Sequence, residues 1–449
     1  MSDIHENFPV KEWLSWRLFF PLGEINRCSN RKIPISGCSM NSTANRHSNY
    51  QTLIRLAETN WDEADKLKLS SLHVTVKDDN YLHDQFGRSF YHFCTTSYLG
   101  LDYHPALLDG AIQALQKTGT LRIANSRNRC QLSNLAEYET ELSEWLNAHC
   151  HVTLSCSAAS AGVLPLLSSG AFTDGRVPTM VFDRHAHYSM NHMKAACAGE
   201  ATVLTVSHNN MEQLETLCKA HDRVAYVADG VYSMGGMAEI ESLIYLKEKY
   251  GLFLYLDDSH AISALGVGGT GYARSKLDEL DENTIIVASL GKAFGASGGV
   301  VMLGNDRQKK LIHRYGGPSN WSQSLNIAAI GAGRASIALH RNGEVEKLQQ
   351  KLQQNIQYFD SIVNTEQKGS SSAIRLIQCS SAEVANRIAA ELANKGFFTS
   401  AVFFPVVAQD KPAIRITLRS DMTHILISDF CKGLTEALGT AEFNQPATQ

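Results

Sequence analysis

The sequence predicts an α/β protein: a mostly parallel central sheet with helices on both faces, plus a smaller C-terminal α+β domain. Two patterns predict it. Seven short apolar or β-branched runs recur between residues 151 and 304: HVTLSCS, PTMVFDR, ATVLTVSH, RVAYVADG, LFLYLDDSH, TIIVASLGK and GGVVMLG. Most are separated by helix-sized intervals such as MEQLETLCKAH and IESLIYLKEKYG, and continuous apolar runs suit strands buried on both faces. Past about residue 330 the rhythm changes to long helices with a few interspersed strands.

Taken in order, residues 1–50 are rich in Ser, Asn, Arg and Cys and read as an N-terminal extension. YQTLIRLAETNWDEADKLK (50–68) reads as a helix. The alternating stretch that follows, to Cys94, carries Asp-Asn and Phe-Gly turn signals and makes a small β-element, so 51–104 form one unit. The large α/β domain spans 105–330 and opens with helices at ALLDGAIQALQKTG and LAEYETELSEWLNAH. Residues 331–449 form the C-terminal domain. It contains one long helical stretch through NIAAIGAGRASIALHRNGEVEKLQQKLQQNIQYFDSIV, the runs AIRLIQ, FFTSAVFF and AIRITL, a helix at AEVANRIAAELANKG, and a final helix.

Bulk properties exclude several functions. A chain of 449 residues is too long for one simple core. The 44% apolar and 19% charged content is that of a soluble globular protein. A net charge of −4, without a Lys/Arg block of five, gives nucleic acid no electrostatic footprint. The ten cysteines form no C-x-x-C pair, which suits reduced thiols in a cytoplasmic protein. No apolar run approaches the ~18 residues of a membrane-spanning helix, and WLSWRLFFPLG (13–23), interrupted by an arginine, is a poor secretory signal.

In a doubly wound sheet ligands sit beyond the carboxyl ends of the strands. The polar residues closing each run are Ser155–Ser157, Asp183–His187, Asp229–Ser233, Asp257–His260 and Ser289–Lys292, and all could converge on one crevice. Lys292 is the one charge in SLGKAFGASGG (289–299), with small residues after it that leave room for a flat group. Such a lysine can form a Schiff base with an aldehyde; it could equally snorkel from a strand end. A buried Asp257 needs a cation, and a protonated pyridine nitrogen is one, although Asp257-Asp258 alone equally suits a metal site or a helix cap. His260 could reach a phenolic oxygen on the same ring. His187 offers a ring to stack, or is merely structural. SCSAASAGVLPLL (155–167) starts a helix with small side chains, where backbone N–H groups can meet a phosphate.

In this chain order, phosphate cradle, stacking histidine, aspartate and lysine resemble pyridoxal-phosphate (PLP) enzymes of the aspartate-aminotransferase fold type, fold type I. YLDDSHAISALGVGGTG (255–271) with VASLGKAFGASGG (287–299) is similar to the α-oxoamine synthase family, and SYLGLDYHPAL, ELSEWL, DRHAHYS, DGVYSMGG and AIRITL fall where that family's stretches fall. The similarity covers about residues 75–440.

The resemblance implies that Lys292 is the Schiff-base lysine and proton shuttle, Asp257 the partner of the pyridine nitrogen and His187 the stacking ring. It puts Ser233 and His260 near the ring's phenolic oxygen and Ser289 near the phosphate, with the backbone N–H groups of Cys156 and Ser157 in place of the family's Gly-aromatic pair. Arg415 matches the arginine that holds an amino-acid carboxylate. Thr96 and Ser97 stand where the family commonly has Asn-Asp beside that site. Ser322 and Gln323 match a segment reaching into a neighbouring subunit's phosphate site, which implies a homodimer. The implied cofactor is pyridoxal 5′-phosphate, with no metal. The implied reaction condenses an amino acid with an acyl thioester, on CoA or an acyl carrier protein, losing CO₂ to give an α-amino ketone. The same lysine and aspartate would serve an aminotransferase or a retro-aldol lyase. A catalytically silent scaffold subunit is a third possibility, and the presence of Lys292 argues against it. LRIANSRNR (121–129) replaces the family's Gly-Ser-Gly-Gly-Ser-Arg, which implies a divergent specialist rather than the biotin-pathway enzyme.

Overall fold

The computed structural model describes residues 47 and 49–443; the expected N-terminal extension lies almost wholly outside them. The helix Tyr50–Lys66 leads into three antiparallel strands, β1 (Val74–Asp78), β2 (Tyr81–Asp84) and β3 (Ser89–His92). All seven apolar runs become strands of one sheet: β4 (His149–Thr153), β5 (Thr179–Asp183), β6 (Val203–Val206), β7 (Val224–Asp229), β8 (Phe253–Asp257), β9 (Thr284–Ser289) and β10 (Gly299–Leu303). Their order is β4-β10-β9-β8-β7-β5-β6. Only β10 runs against its neighbours, so the sheet is mostly parallel.

Continuous apolar runs produce this because both faces are covered. Tyr226, Leu254, Ile286 and Val300 point to one face and pack with Leu142, Leu146, Leu243 and Leu246 of the helices Ser133–Leu146 and Ile240–Tyr250. The alternate residues Val227, Tyr255, Ile285 and Val301 meet Val163, Leu164 and Leu167 of the helix Cys156–Ser168 on the other face. Each such fully buried aliphatic side chain contributes about 1.5–3 kcal/mol relative to exposure.

The smaller domain holds β11 (Ile374–Gln378), β12 (Phe397–Phe398), β13 (Ser400–Val402) and β14 (Ala413–Thr417), with the helices Ala382–Asn394 and His424–Phe443. Its sheet runs β11-β14-β13, while β12 joins β3 in parallel, so the early β-element is completed by a strand from the far end of the chain. The single long helix expected after residue 326 is instead two, Ile327–Arg341 and Glu344–Ile362. The break is at Gly343, whose φ of 80° lies in the left-handed region that glycine enters without a Cβ clash. The first of these helices crosses residue 330 and packs through Ile327, Ile330 and Ile337 into the core shared with Leu135, Tyr138 and Leu142.

Candidate active site

Register brings the strand ends together. Asp257 is level with Asp229 on β7 and with Val287 on β9, and two residues beyond Val287 the chain leaves β9 for Lys292. The N-terminus of the helix Cys156–Ser168 abuts the same edge. A Cβ on Gly299 would lie 2.6 Å from Cys156 N, so the absence of a side chain there is what admits the helix. Ser155 caps the helix, accepting the Ala158 N–H at 3.1 Å. The first intrahelical bond is Ala159 N–H to Ser155 O, which leaves the N–H groups of Cys156 and Ser157 outside the helical ladder, suited to an anion.

Asp257 is buried, 3% exposed, and enters no ion pair among those found for the described residues. Its Oδ1 accepts the Ser259 N–H at 2.9 Å and its Oδ2 the Cys156 thiol at 3.5 Å. A carboxylate so placed suits a cation bound in the crevice. A pyridinium N–H is such a cation.

Lys292 is half-buried, and its Nζ lies 2.7 Å from His260 Nε2. Burial lowers its pKa below the ordinary lysine value, with the negative charge of Asp257 pulling the other way. On the far side of the imidazole, His260 Nδ1 lies 2.6 Å from the Tyr98 hydroxyl. Burial, reinforced by Lys292 and Arg415, holds His260 well below the usual histidine range, while burial pushes Tyr98 up to about 12 against the pull of Arg415. At neutral pH the imidazole therefore carries one proton and the phenol keeps its own.

His187 is fixed from two sides. Its N–H donates to Asp229 Oδ2 at 2.8 Å, and its Nδ1 is 2.8 Å from Ser189 Oγ. Burial lowers its pKa, opposed by the charge of Asp257, which favours a neutral ring. Asp229 is pushed well above the carboxylate range by burial and then by Asp257. Of two carboxyls on adjacent strand ends, Asp229 is thus the one whose charged form burial and its neighbour disfavour.

The other expected residues are distributed as follows. Ser289 sits at the end of β9, its N–H donating to Ser259 Oγ at 2.8 Å and its hydroxyl accepting the Gly291 N–H at 3.2 Å. Arg415, 6% exposed on β14, donates from Nε to the Ser233 carbonyl at 2.8 Å and so links the small domain to the loop after β7. Thr96 is half-buried between Thr95, whose carbonyl accepts from Thr417 Oγ1, and Ser97. The Ser97 hydroxyl is committed to Asp102 rather than to the crevice. Ser157, Ser322 and Gln323 are exposed in the single chain. Three residues of the crevice were not singled out from the sequence. Tyr98 was visible only as part of SYLGL, Asp229 only as a strand-end polar residue, and Ser259 only as one member of Asp257–His260.

The chain is similar to several known proteins. Residues 89–434 match the family model described as aminotransferase class I and II. An 8-amino-7-oxononanoate synthase from Geobacter sulfurreducens is 28% identical over 340 residues, covering 74% of this chain and 84% of that protein. A 2-amino-3-ketobutyrate coenzyme A ligase from Escherichia coli is 26% identical over 361 residues, covering 78% and 86%. Among solved structures, a serine palmitoyltransferase from S. paucimobilis with bound PLP–myriocin superposes with a TM-score of 0.76 at 19% identity, covering 87% of this chain and 99% of that one. An 8-amino-7-oxononanoate synthase from Francisella tularensis gives 0.64 at 20% identity, covering 79% and 99%. The fold is that of the PLP-dependent transferases, and the relatives are α-oxoamine synthases, as the motifs around Asp257 and Lys292 imply. The chain belongs to the aminotransferase class I and II family.

Proposed function

We propose that this protein is a PLP-dependent acyltransferase that condenses an amino acid with an acyl thioester, with loss of CO₂, to give an α-amino ketone. The observation that carries this reading is the convergence of a pKa-lowered Lys292, a buried Asp257 without an ionic partner among the described residues, and a helix N-terminus on one crevice. The residues fit the cofactor: Asp257 for the ring nitrogen, His187 for the ring face, His260 and Ser233 for the phenolic-oxygen side, and Ser289 with the N–H groups of Cys156 and Ser157 for the phosphate. Bound there, PLP supplies an aldehyde for amine chemistry and an electron-withdrawing ring that stabilises negative charge at an amino acid's α-carbon.

The chain's own groups divide the remaining work. Lys292, its proton affinity reduced by burial, takes the proton from the α-carbon and returns it. His260 follows that proton. Its Nε2 accepts when the amine is charged and donates, in the other tautomer, when the amine is neutral, with the Tyr98 hydroxyl reversing its own role at Nδ1. Arg415, buried and tethered by Ser233, holds the substrate carboxylate with the part of its guanidinium fork that remains. The low exposure of the crevice floor limits water at the point where the thioester is attacked and the thiol leaves.

The names of the relatives, a synthase of 8-amino-7-oxononanoate and a 2-amino-3-ketobutyrate CoA ligase, support thioester condensation over transamination. We further propose a homodimer in which Ser322 and Gln323 complete the partner's phosphate site. The experiment is a panel of amino acids and acyl thioesters, with free thiol assayed and products weighed by mass spectrometry. Expected is thiol release matched by a ketone whose mass equals both reactants less the thiol and CO₂. Keto-acid formation without thiol would overturn the reading in favour of an aminotransferase.

A further inference from the structure

Four polar groups outside the Tyr98–His260–Lys292 line form a second chain, and its proton order is fixed by what each atom can do. The Ser289 backbone N–H can only donate, and it donates to Ser259 Oγ at 2.8 Å. Ser259 Oγ–H is then free to donate onward, and it reaches Cys156 Sγ at 3.4 Å. A carboxylate oxygen accepts, and the thiol lies 3.5 Å from Asp257 Oδ2. The direction is therefore Ser289 N–H to Ser259 O–H to Cys156 S–H to Asp257. It works only while the sulfur keeps its proton. All three side chains involved are buried: Cys156 is 8% exposed, Ser259 and Asp257 each 3%.

From this arrangement we infer that the Cys156 thiol is a positioning residue for Asp257: it holds Oδ2 while the Ser259 N–H holds Oδ1, fixing the carboxylate plane toward the ring nitrogen. The inference rests on Asp257 being the partner of that nitrogen. It assigns the side chain a role separate from that of the Cys156 N–H at the phosphate. Burial, reinforced by the negative charge of Asp257, raises the thiol's pKa well above its ordinary value, which keeps the donor in place across the working range of pH. The other titratable groups facing the thiol and Asp257 are Lys292, Asp229, His187 and Tyr255. A sulfur so placed is a weak donor to a charged acceptor, and its loss is expected to weaken binding about threefold to tenfold.

The test uses the full-length holoenzyme and three variants, C156A, C156S and the double variant C156A/S259A, read by the dissociation constant for PLP and by the visible spectrum of bound cofactor against pH. Thermal melts of the same samples identify any variant that fails to fold. C156A is expected to raise the dissociation constant about threefold to tenfold and to move the spectral pH midpoint. C156S, which keeps an O–H donor, is expected to restore both toward wild type. The double variant C156A/S259A should be no worse than C156A, because the two side chains act through one chain. Equal affinity and spectra for C156A and wild type would overturn the inference, as would C156S being as impaired as C156A. If wild type itself takes up no PLP, the functional reading fails instead, so the two failures are distinct.

Discussion

At the scale of single residues, the crevice depends on two pairs of adjacent titratable groups. Asp229 and Asp257 lie side by side on adjacent strands, and burial with the negative charge of Asp257 raises the pKa of Asp229 well above the carboxylate range. Lys292 and His260 share a 2.7 Å contact that cannot hold two cations, and burial lowers both. Lys292→Ala removes the one amine able to tether the cofactor. It is expected to reduce condensation by at least about a thousandfold, the upper part of what acid–base catalysis contributes, while the far-ultraviolet circular dichroism stays that of wild type. Borohydride treatment followed by mass spectrometry checks the tether: the cofactor's mass should stay on wild type and be missing from the variant. The lysine and the aspartate were legible in the sequence because each ends an apolar run, where a charged residue needs a reason. Tyr98 was not legible, since its partner lies 162 residues away and no local pattern links them.

At the scale of elements, a buried ion cluster locks four segments together. Glu139, in the helix Ser133–Leu146, accepts from Arg127 at 2.7 Å and from the Val152 N–H of β4 at 2.8 Å, and it pairs with Lys309 of the helix Asp306–Tyr315 at 3.1 Å. Arg127 also donates to the Val152 carbonyl at 2.7 Å. Burial alone would raise the Glu139 pKa, but the charges of Arg127, His151 and Lys309 outweigh it and bring it down to about 2. Glu139→Gln leaves Arg127 buried beside a neutral group and is expected to cost about 3–5 kcal/mol at pH 7, measured by urea unfolding. The carboxylate's contribution is complete above the unfolded-state value of 4.5 and fades as pH falls toward about 2. The difference between wild type and variant should therefore shrink through that window; a difference constant from pH 7 to pH 2 would show that the charge is not responsible. Arg127 belongs to LRIANSRNR, the segment that departs from the family's glycine-rich stretch, and its guanidinium is buried.

At the scale of the whole molecule, the early β-element and the C-terminal domain are one structure, joined by the pairing of β3 with β12 and, just after β3, by the bond from Thr417 Oγ1 to the Thr95 carbonyl. No helix among the described residues is long and apolar enough to cross a membrane. Leu121 and Trp321 are 62% and 68% exposed on two segments that touch where the Ile327 N–H meets the Leu121 carbonyl and where Ser126 meets Asn320. Exposed apolar side chains beside Ser322 and Gln323 suit the proposed contact between subunits. Sedimentation equilibrium is expected to give twice the chain mass, and Trp321→Asp to shift it toward the single chain with loss of cofactor retention; a wild-type monomer that retains cofactor would refute the shared site.

The sequence by itself determined the strands, their burial on both faces and the residues closing them, because continuous apolar runs and helical spacing act locally. It also carried Lys292 and Asp257, whose charges stand out against those runs. Tertiary structure alone decided which polar atoms meet: Tyr98 on His260, Cys156 on Asp257, Arg127 on Glu139, β12 beside β3. Those contacts join residues far apart in the chain, and the energy that selects them, the cost of leaving a buried donor or charge without a partner, is incurred only once packing has excluded water.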